Sequence, residues 1–307
     1  MRQFIVCAFV AVQMLAAAPA GKPAVSRGKA FDTPEAAAQA LVGAAKSGDL
    51  AEILAILGPS AREIVSTRDK VADRNMRRAF VKRASQSTRL AAVRGKPNER
   101  MLQAGNDGWQ LPVPIVQVNG KWYFDMAQGR KRILTRRIGS NELDAIEVCR
   151  GYVEAQNSFA EVHRTAAGVP YYAQKIISSP GEHDGLYWKD DTADESPIGE
   201  IIAKAIAEGY TNKQEPFHGY FFRILTAQGQ HSYIEDGVMT KGFALIAWPA
   251  QYGSTGIMTF LVDKSGIVYQ KDLGRNTEKL VSDYSKYDPN ATWKPVSGGA
   301  ALMSKLN

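Results

Sequence analysis

The sequence predicts an α+β fold in which each half of the chain combines helices with an antiparallel sheet. The first half shows helical spacing of apolar residues up to about residue 85, and then alternating strands around an Asn119-Gly120 turn. The second half begins with a long helical pattern and continues into four strand-like segments. Helices and strands that follow one another in blocks, rather than alternating singly, are typical of α+β domains.

Three helices are predicted before residue 86. Asp32 or Thr33 can cap the first and Pro34 suits its first turn, while Gly48 ends it and Gly58 ends the second. The third helix, over residues 70–85, is strongly basic. Its thin apolar stripe consists of Val71, Met76, Phe80 and Val81. We therefore expect it on the surface, with one narrow face docked.

The first sheet follows from alternation and turn chemistry. Strands are predicted in RLAAVRG, ERMLQA, WQLPVPIVQV and KWYFDM. Asn119-Gly120 suits the positive φ angles of a tight hairpin, so Trp109 to Val118 should pair with Lys121 to Met126. Pro112 and Pro114 cannot donate ladder hydrogen bonds, which favours an edge or bulged strand.

The second half is predicted as one long helix followed by an antiparallel sheet. Ser140 provides the helix start, and a loop-rich region over 166–216 contains one helix, Ile198 to Glu208. The strands are GYFFRILTAQ, FALIAWPA, GIMTFLVD and GIVYQKDL, the last two joined at Lys264-Ser265-Gly266.

The N-terminus has the pattern of a secretory signal peptide. Arg2 precedes an apolar stretch from Phe4 to Ala18, and Ala18-Pro19-Ala20 supplies a small-residue cleavage site. An uncleaved membrane anchor is the alternative. We expect an exported protein, periplasmic or secreted, without a transmembrane segment after cleavage. The predicted units are a signal peptide (1–20), a flexible linker (21–30), a basic α+β domain (31–139), a second α+β domain (140–295) and a disordered tail (296–307).

Charge divides the chain into halves of opposite sign. Residues 1–137 carry 23 Lys and Arg against 10 Asp and Glu, whereas residues 138–307 carry 15 against 21. Candidate residues for an anionic partner are Arg130, Lys131, Arg132, Arg136 and Arg137. For an exported protein this favours an envelope polyanion or acidic protein over nucleic acid. Solvated helix faces, or an electrostatic match between the two halves, remain the alternative.

Motifs for chemistry are missing from the sequence. There is no G-x-S-x-G, phosphate-binding loop or dinucleotide fingerprint, and the four histidines lack zinc-site spacing. We therefore predict no cofactor, no metal and no catalytic residue. Cys7 would leave with the signal peptide, which excludes an intramolecular disulfide, and Cys149 is predicted to pack in a helix as a small hydrophobe.

Aromatic residues cluster in the second half. Most are expected to alternate into a core, but Trp188, Trp248 and Tyr252 are a candidate exposed platform for sugar or protein contacts.

Several segments together resemble the exported bacterial family called domain of unknown function 2950. The most specific is the string from Phe243 to Gly274, FALIAWPAQYGSTGIMTFLVDKSGIVYQKDLG. Supporting segments are Trp109-Gln110-Leu111-Pro112, Asn141-Glu142-Leu143, Ala155-Gln156 and Asp184-Gly185-Leu186-Tyr187-Trp188. The resemblance covers Phe31 to about Pro295 and implies an envelope location but no catalytic residues.

Two looser likenesses concern architecture alone. The first half is similar to the cone of nuclear transport factor 2-like domains, and the second half is similar to a pseudopilin head. The chain lacks a prepilin cleavage motif and an apolar assembly helix, so the second likeness does not imply a pilus. Fold likeness carries no function by itself.

Two functions from different classes fit these observations. The first is a non-catalytic envelope protein that binds or scaffolds through its basic and pilin-like parts. The second is a ligand-binding or enzymatic cone in the first half, lined from its sheet by Trp109, Gln110 and Tyr123. A cone filled by its own side chains would favour the first, and a polar pocket the second.

Overall fold

The computed structural model of the chain describes residues 27–188, 196–198, 205, 208, 210 and 215–296. Within them the protein is a mixed α+β structure whose two five-stranded sheets are antiparallel, which confirms the predicted class. The predicted signal peptide, most of the predicted helix from Ile198 to Glu208 and the predicted tail after Val296 lie outside the described residues.

Most of the α-helices with described bounds lie in the first half of the chain. They are α1 (Pro34–Ser47), α2 (Leu50–Leu57), α3 (Arg62–Val65), α4 (Lys70–Gln86), α5 (Met126–Val162) and, near the C-terminus, α6 (Thr277–Ser282). Thr33 caps α1, since its side chain accepts a hydrogen bond from the Ala36 N–H. The Gly48 φ of 74° ends α1, and the Asp49 carboxylate caps α2. The predicted starts and ends of α1 and α2 are confirmed.

The first sheet lies between α4 and α5 in the chain. Its strands are β1 (Thr88–Val93), β2 (Lys96–Ala104), β3 (Trp109–Gln110), β4 (Ile115–Val118) and β5 (Lys121–Phe124). Their order is β1-β2-β4-β5, with β3 also paired to β2. Asn119 and Gly120, with φ of 51° and 78°, form the predicted hairpin between β4 and β5. The predicted strand from Trp109 to Val118 is instead two strands, because the segment with Pro112 and Pro114 lacks ladder donors.

The second five-stranded sheet forms the C-terminal half. Its strands, in spatial order, are β16 (Lys294–Pro295), β15 (Tyr269–Asp272), β14 (Met258–Asp263), β13 (Ala244–Pro249) and β8 (Tyr220–Leu225). Short pairs outside it are β6 (Lys175–Ile177) with β7 (Gly185–Tyr187), β9 (Ala227–Gln228) with β10 (His231–Ser232), and β11 (Ile234–Glu235) with β12 (Val238–Met239). The four predicted strands of this half are all present.

The long helix starts earlier than predicted. It begins at Met126, where the Asp125 side chain accepts a hydrogen bond from the Gln128 N–H, and not at Ser140. Gly139 lowers helix propensity by about 1 kcal/mol relative to Ala but does not stop a helix that is packed on both sides of it. The predicted strand residues after Phe124 therefore belong to the cap and first turn of α5.

Each sheet has its own hydrophobic cluster, and α5 contributes to both. The first cluster joins α1, α2 and the first sheet and includes Phe31, Leu102 and Phe124. The second packs the later turns of α5 on β13 and β14 and includes Cys149, whose burial raises the pKa of its thiol to about 12. The predicted core position of Cys149 is confirmed.

Polar contacts fix α5 to the second sheet. The Glu142 Oε1 atom accepts hydrogen bonds from the Ile257 and Met258 N–H groups at 2.9 and 3.0 Å. The Asn141 side chain donates to the Thr255 carbonyl at 2.9 Å. Because α5 also contributes to the first cluster, these bonds fix the two sheets relative to each other.

Candidate functional site

A cavity of about 510 Å³ lies mainly in the first half of the chain, between α4, the start of α5 and the end of β3, and residues of the second half complete its lining. Its apolar lining residues are Leu41, Ala45, Ile53, Leu57, Ile64, Val65, Ala72, Met76, Ala79, Phe80, Trp109, Leu111, Pro112, Val113, Met126 and Ile133. Its polar lining residues are Thr67, Asp69, Asp73, Arg77, Arg83, Arg136, Arg137, Ser140, Asn141 and Thr255, with Gly219. The volume falls in the range of about 300–1,000 Å³ that is typical of small-molecule sites.

The cavity exists because the residues that face it from the helices are small. Ala45 on α1 and Ala72 and Ala79 on α4 leave space that larger side chains would fill. Only three residues of α4 are buried, Val71, Asp73 and Ala84, and they lie toward its two ends. The middle of α4 therefore covers the cavity without filling it.

The opening lies between α4 and α5. Lining residues that are also exposed indicate where a cavity meets solvent. On α4 these are Met76, which is 42% exposed, and Ala79; on α5 they are Arg136 and Ser140. A ligand would enter between these two helices.

Asp69 organises the polar end of the cavity. It is 2% exposed, and its Oδ1 accepts a hydrogen bond from the Ala72 N–H at 2.8 Å, which caps α4. Its Oδ2 accepts from the Tyr210 hydroxyl at 2.9 Å and from the Gly219 N–H at 2.8 Å. One carboxylate thus joins α4 to the segment that leads into β8.

Asp73, which is buried, and Arg137, which is half-buried, line the cavity at the same end. Thr67 donates to Asp73 through its N–H at 2.6 Å and its hydroxyl at 2.9 Å. Arg137 donates to the carbonyls of Glu63 and Ile64, so it fixes α3 against α5. Burial lowers the pKa of Arg137, although the carboxylates of Asp73, Asp69 and Glu63 oppose this shift.

Replacing Asp73 with Asn should change how stability depends on pH. Burial raises the pKa of Asp73 above its ordinary value of 3.8, while the bonds from Thr67 and the charges of Arg137 and Lys70 oppose the shift. A raised folded-state pKa means that the stabilising form is the protonated one. The stability contributed by Asp73 is thus full below pH 3.8 and is lost as the pH rises through the folded-state pKa.

The measurement is urea unfolding of both proteins between pH 4 and pH 7. We expect the difference between the free energies of unfolding, Asp73→Asn minus the unmodified chain, to increase as the pH rises. A difference that stays constant, or that changes in the opposite direction, would contradict the assignment.

His218 and its two carboxylate partners lie beside this polar end. His218 contacts Asp144 through Nδ1 at 2.8 Å and Glu208 through Nε2, and its N–H donates to the Tyr210 hydroxyl at 3.3 Å. Both ring nitrogens are therefore bound to carboxylates and neither is turned toward the cavity. Its φ of 47° brings the chain to Gly219, where a Cβ would lie 2.4 Å from the Asn141 amide nitrogen. The arrangement holds the segment in place.

The predicted basic residues have different surroundings. Arg130 forms an ion pair with Glu63, and Arg137 is used inside the protein as described above. Lys131, Arg132 and Arg136 are exposed. Only Arg136 and Arg137 of the five line the cavity.

The three predicted platform residues also differ in their contacts. Trp188 stacks on His183 at 4.3 Å between ring centroids, and Trp248 lies 5.7 Å from Phe221. Tyr252 donates a hydrogen bond to Asp272 at 3.2 Å. Trp188 and Trp248 are half-buried against the second hydrophobic cluster.

Sequence reasoning identified only part of the cavity. Of the residues predicted to line the cone, Trp109 does so, whereas Gln110 and Tyr123 are not among the lining residues. The α4 side, with Ala72, Met76 and Phe80, was missed. The available signal was the alanines in the stripe of α4, which make that helix face too small to fill a core.

The described part of the chain contains no group of three His, Cys, Asp or Glu side chains that could hold a metal ion. In the Glu182-His183-Asp184 loop, Lys175 and Ser179 lower the pKa of Asp184 to about 2. Within the same residues no helix is both long and apolar enough to cross a membrane.

Comparison with known proteins places the chain in a family. No curated protein and no solved structure matches it. A family described as "protein of unknown function (DUF2950)" matches residues 28–296, which include both sheets and the cavity. The resemblance seen in the sequence is confirmed: the chain belongs to the DUF2950 family.

Proposed function

We propose that this protein is an exported envelope protein that binds a small amphipathic molecule in the cavity between α4 and α5, without catalysing a reaction. The observation that carries the proposal is the cavity itself, with its mainly apolar walls and one polar end. Of the two functions considered from the sequence, it supports ligand binding in the first half.

The opening and the walls of the cavity support an apolar ligand. Because the cavity meets solvent between α4 and α5, a ligand can reach it. Its volume of about 510 Å³ is lined mainly by apolar side chains, and burying apolar ligand surface against such walls is favourable by about 25 cal/mol per Å².

The polar end supports binding rather than chemistry. Both Asp69 oxygens and both Asp73 oxygens accept hydrogen bonds from protein donors, and both nitrogens of His218 contact carboxylates. These contacts hold each side chain in one orientation against the protein. These groups give the cavity a rigid polar boundary.

The two-domain architecture belongs to the same proposal. Two separate hydrophobic clusters, each with its own five-stranded sheet, support a cone-like unit over 31–139 and a pilin-like unit over 140–295. The predicted boundary falls inside α5, which would make this helix a rigid connection. The exposed Lys131 and Arg132 leave an acidic partner as a second candidate interaction.

Filling the cavity with a larger side chain should weaken the binding of an apolar dye. In Ala72→Phe the new ring would occupy space between α4 and β3, so binding of the uncharged apolar dye N-phenyl-1-naphthylamine should weaken at least tenfold. Ala79→Phe, at the opening, should weaken it without altering a buried position. The measurement is the fluorescence of the dye, made after treatment of the protein with a hydrophobic resin that removes bound apolar molecules.

Ala51→Phe is the matched control, because Ala51 is an exposed helical residue on α2 that does not line the cavity. It should bind the dye as the unmodified chain does. No dye binding to the unmodified chain, or equal binding by all the variants, would overturn the proposed function.

A further inference from the structure

The cations that line the cavity differ in what they contact. Arg83 forms an ion pair with Asp107 and lies over the Trp109 ring, and Arg137 donates to two backbone carbonyls. Within the described residues, no hydrogen bond or ion pair joins Arg77 or Arg136 to a protein acceptor. These two guanidinium groups are free to bind a ligand.

The two carboxylates that line the cavity, in contrast, are hydrogen-bonded to protein donors. Asp69 and Asp73 are buried and accept hydrogen bonds from Thr67, Ala72, Tyr210 and Gly219. Both carboxylates therefore interact with donors of the protein itself, whereas the guanidinium groups of Arg77 and Arg136 have no such partner among the described residues. A ligand therefore meets apolar walls with uncompensated positive charge.

The position of these cations fits a headgroup. Arg136 is exposed and lies on α5 at the opening, and Arg77 lines the same cavity from α4, near the Gly48 end of α1. Guanidinium groups bind carboxylates and phosphates through paired hydrogen bonds. The most enclosed apolar positions, Leu41, Val113 and Met126, line the same cavity and suit an alkyl chain.

Resting on the proposed function, we propose that the ligand is a single-chain amphiphile with an anionic headgroup, whose chain enters the cavity and whose head is bound by Arg77 and Arg136. The shared chemistry is one alkyl chain and one acidic head. A fatty acid and a lipid-derived alkyl phosphate both supply it.

The test is displacement of the uncharged dye by four probes with the same alkyl chain: dodecanoate, dodecyl phosphate, dodecanol and dodecyltrimethylammonium. We expect either acidic probe to displace the dye at a concentration at least tenfold lower than the cationic probe does. The comparison of dodecanoate with dodecyl phosphate then shows which head is preferred.

The variant Arg77→Gln/Arg136→Gln should lose this preference, so that the acidic and the cationic probes displace the dye at concentrations within about twofold of each other. Arg78→Gln/Arg132→Gln removes the same charge from exposed positions on the same two helices that do not line the cavity, and it should keep the preference.

The outcomes separate this inference from the proposed function. Dye binding without preference for an acidic head overturns the inference alone. Equal loss of preference in both double variants also overturns it, because the effect would then come from net charge rather than from the site. If neither the dye nor any dodecyl probe binds, both proposals fail.

Discussion

Replacing Asp69 with Ala is expected to lower the free energy of unfolding by about 3–5 kcal/mol, from the lost helix cap and the two buried donors left unsatisfied. The carboxylate caps α4 through the Ala72 N–H and accepts from the Tyr210 hydroxyl and the Gly219 N–H. Removing it leaves these last two donors, which are buried, without their acceptor. The measurement is urea unfolding, extrapolated linearly to water.

Asp49→Ala provides the control for the cap alone. Asp49 caps α2 through the Ala51 and Glu52 N–H groups at an exposed position, so its loss should cost about 0.5–2 kcal/mol. If Asp69→Ala destabilises the protein no more than Asp49→Ala does, the buried bonds to Tyr210 and Gly219 contribute nothing.

Replacing Gln156 with Leu should cost about 2–4 kcal/mol, because a buried backbone donor and acceptor would both lose their partner. Gln156 is 0% exposed. Its amide oxygen accepts from the Ala173 N–H at 2.9 Å, and its Nε2 donates to the Ala173 carbonyl at 2.8 Å and to the Tyr152 hydroxyl at 3.0 Å. The side chain thus pairs with Ala173 as a neighbouring strand would.

Asn157→Leu is the matched control, since Asn157 is the next residue on α5 and is exposed. It should change stability by no more than about 0.5 kcal/mol. Hydrogen exchange at the Ala173 amide gives a second readout: protection should fall in Gln156→Leu and stay unchanged in Asn157→Leu. Unchanged protection in both would show that the Ala173 N–H does not depend on the glutamine.

Local signals in the sequence predicted the elements that depend on neighbouring residues. The Thr33 cap, the Gly48 helix end and the Asn119-Gly120 hairpin are each set by a few adjacent positions, and each is present. The start of α5 was missed because Asp125 and Met126 continue the strand pattern of KWYFDM, and because Gly139 suggested a break. Packing on two hydrophobic clusters overrides that local preference.

The cavity could not be predicted in the same way. Its walls come from α1, α2, α4, α5 and β3, and its polar end is completed by Tyr210 and Gly219 from a distant part of the chain. Sequence spacing relates residues on one helix or strand, but it does not specify where separate elements meet. Of the three residues predicted to line the cavity from the first sheet, only Trp109 does so within the described lining.

The most direct test of the central claim, that the cavity between α4 and α5 binds a ligand, is a crystal structure of the protein with 12-bromododecanoate. The anomalous signal of bromine locates the end of the alkyl chain independently of any interpretation of the rest of the ligand. We predict one bromine peak inside the cavity, beside Leu41, Val113 or Met126, with the carboxylate toward Arg136. A cavity without bromine, or bromine bound only elsewhere on the protein, would contradict the account.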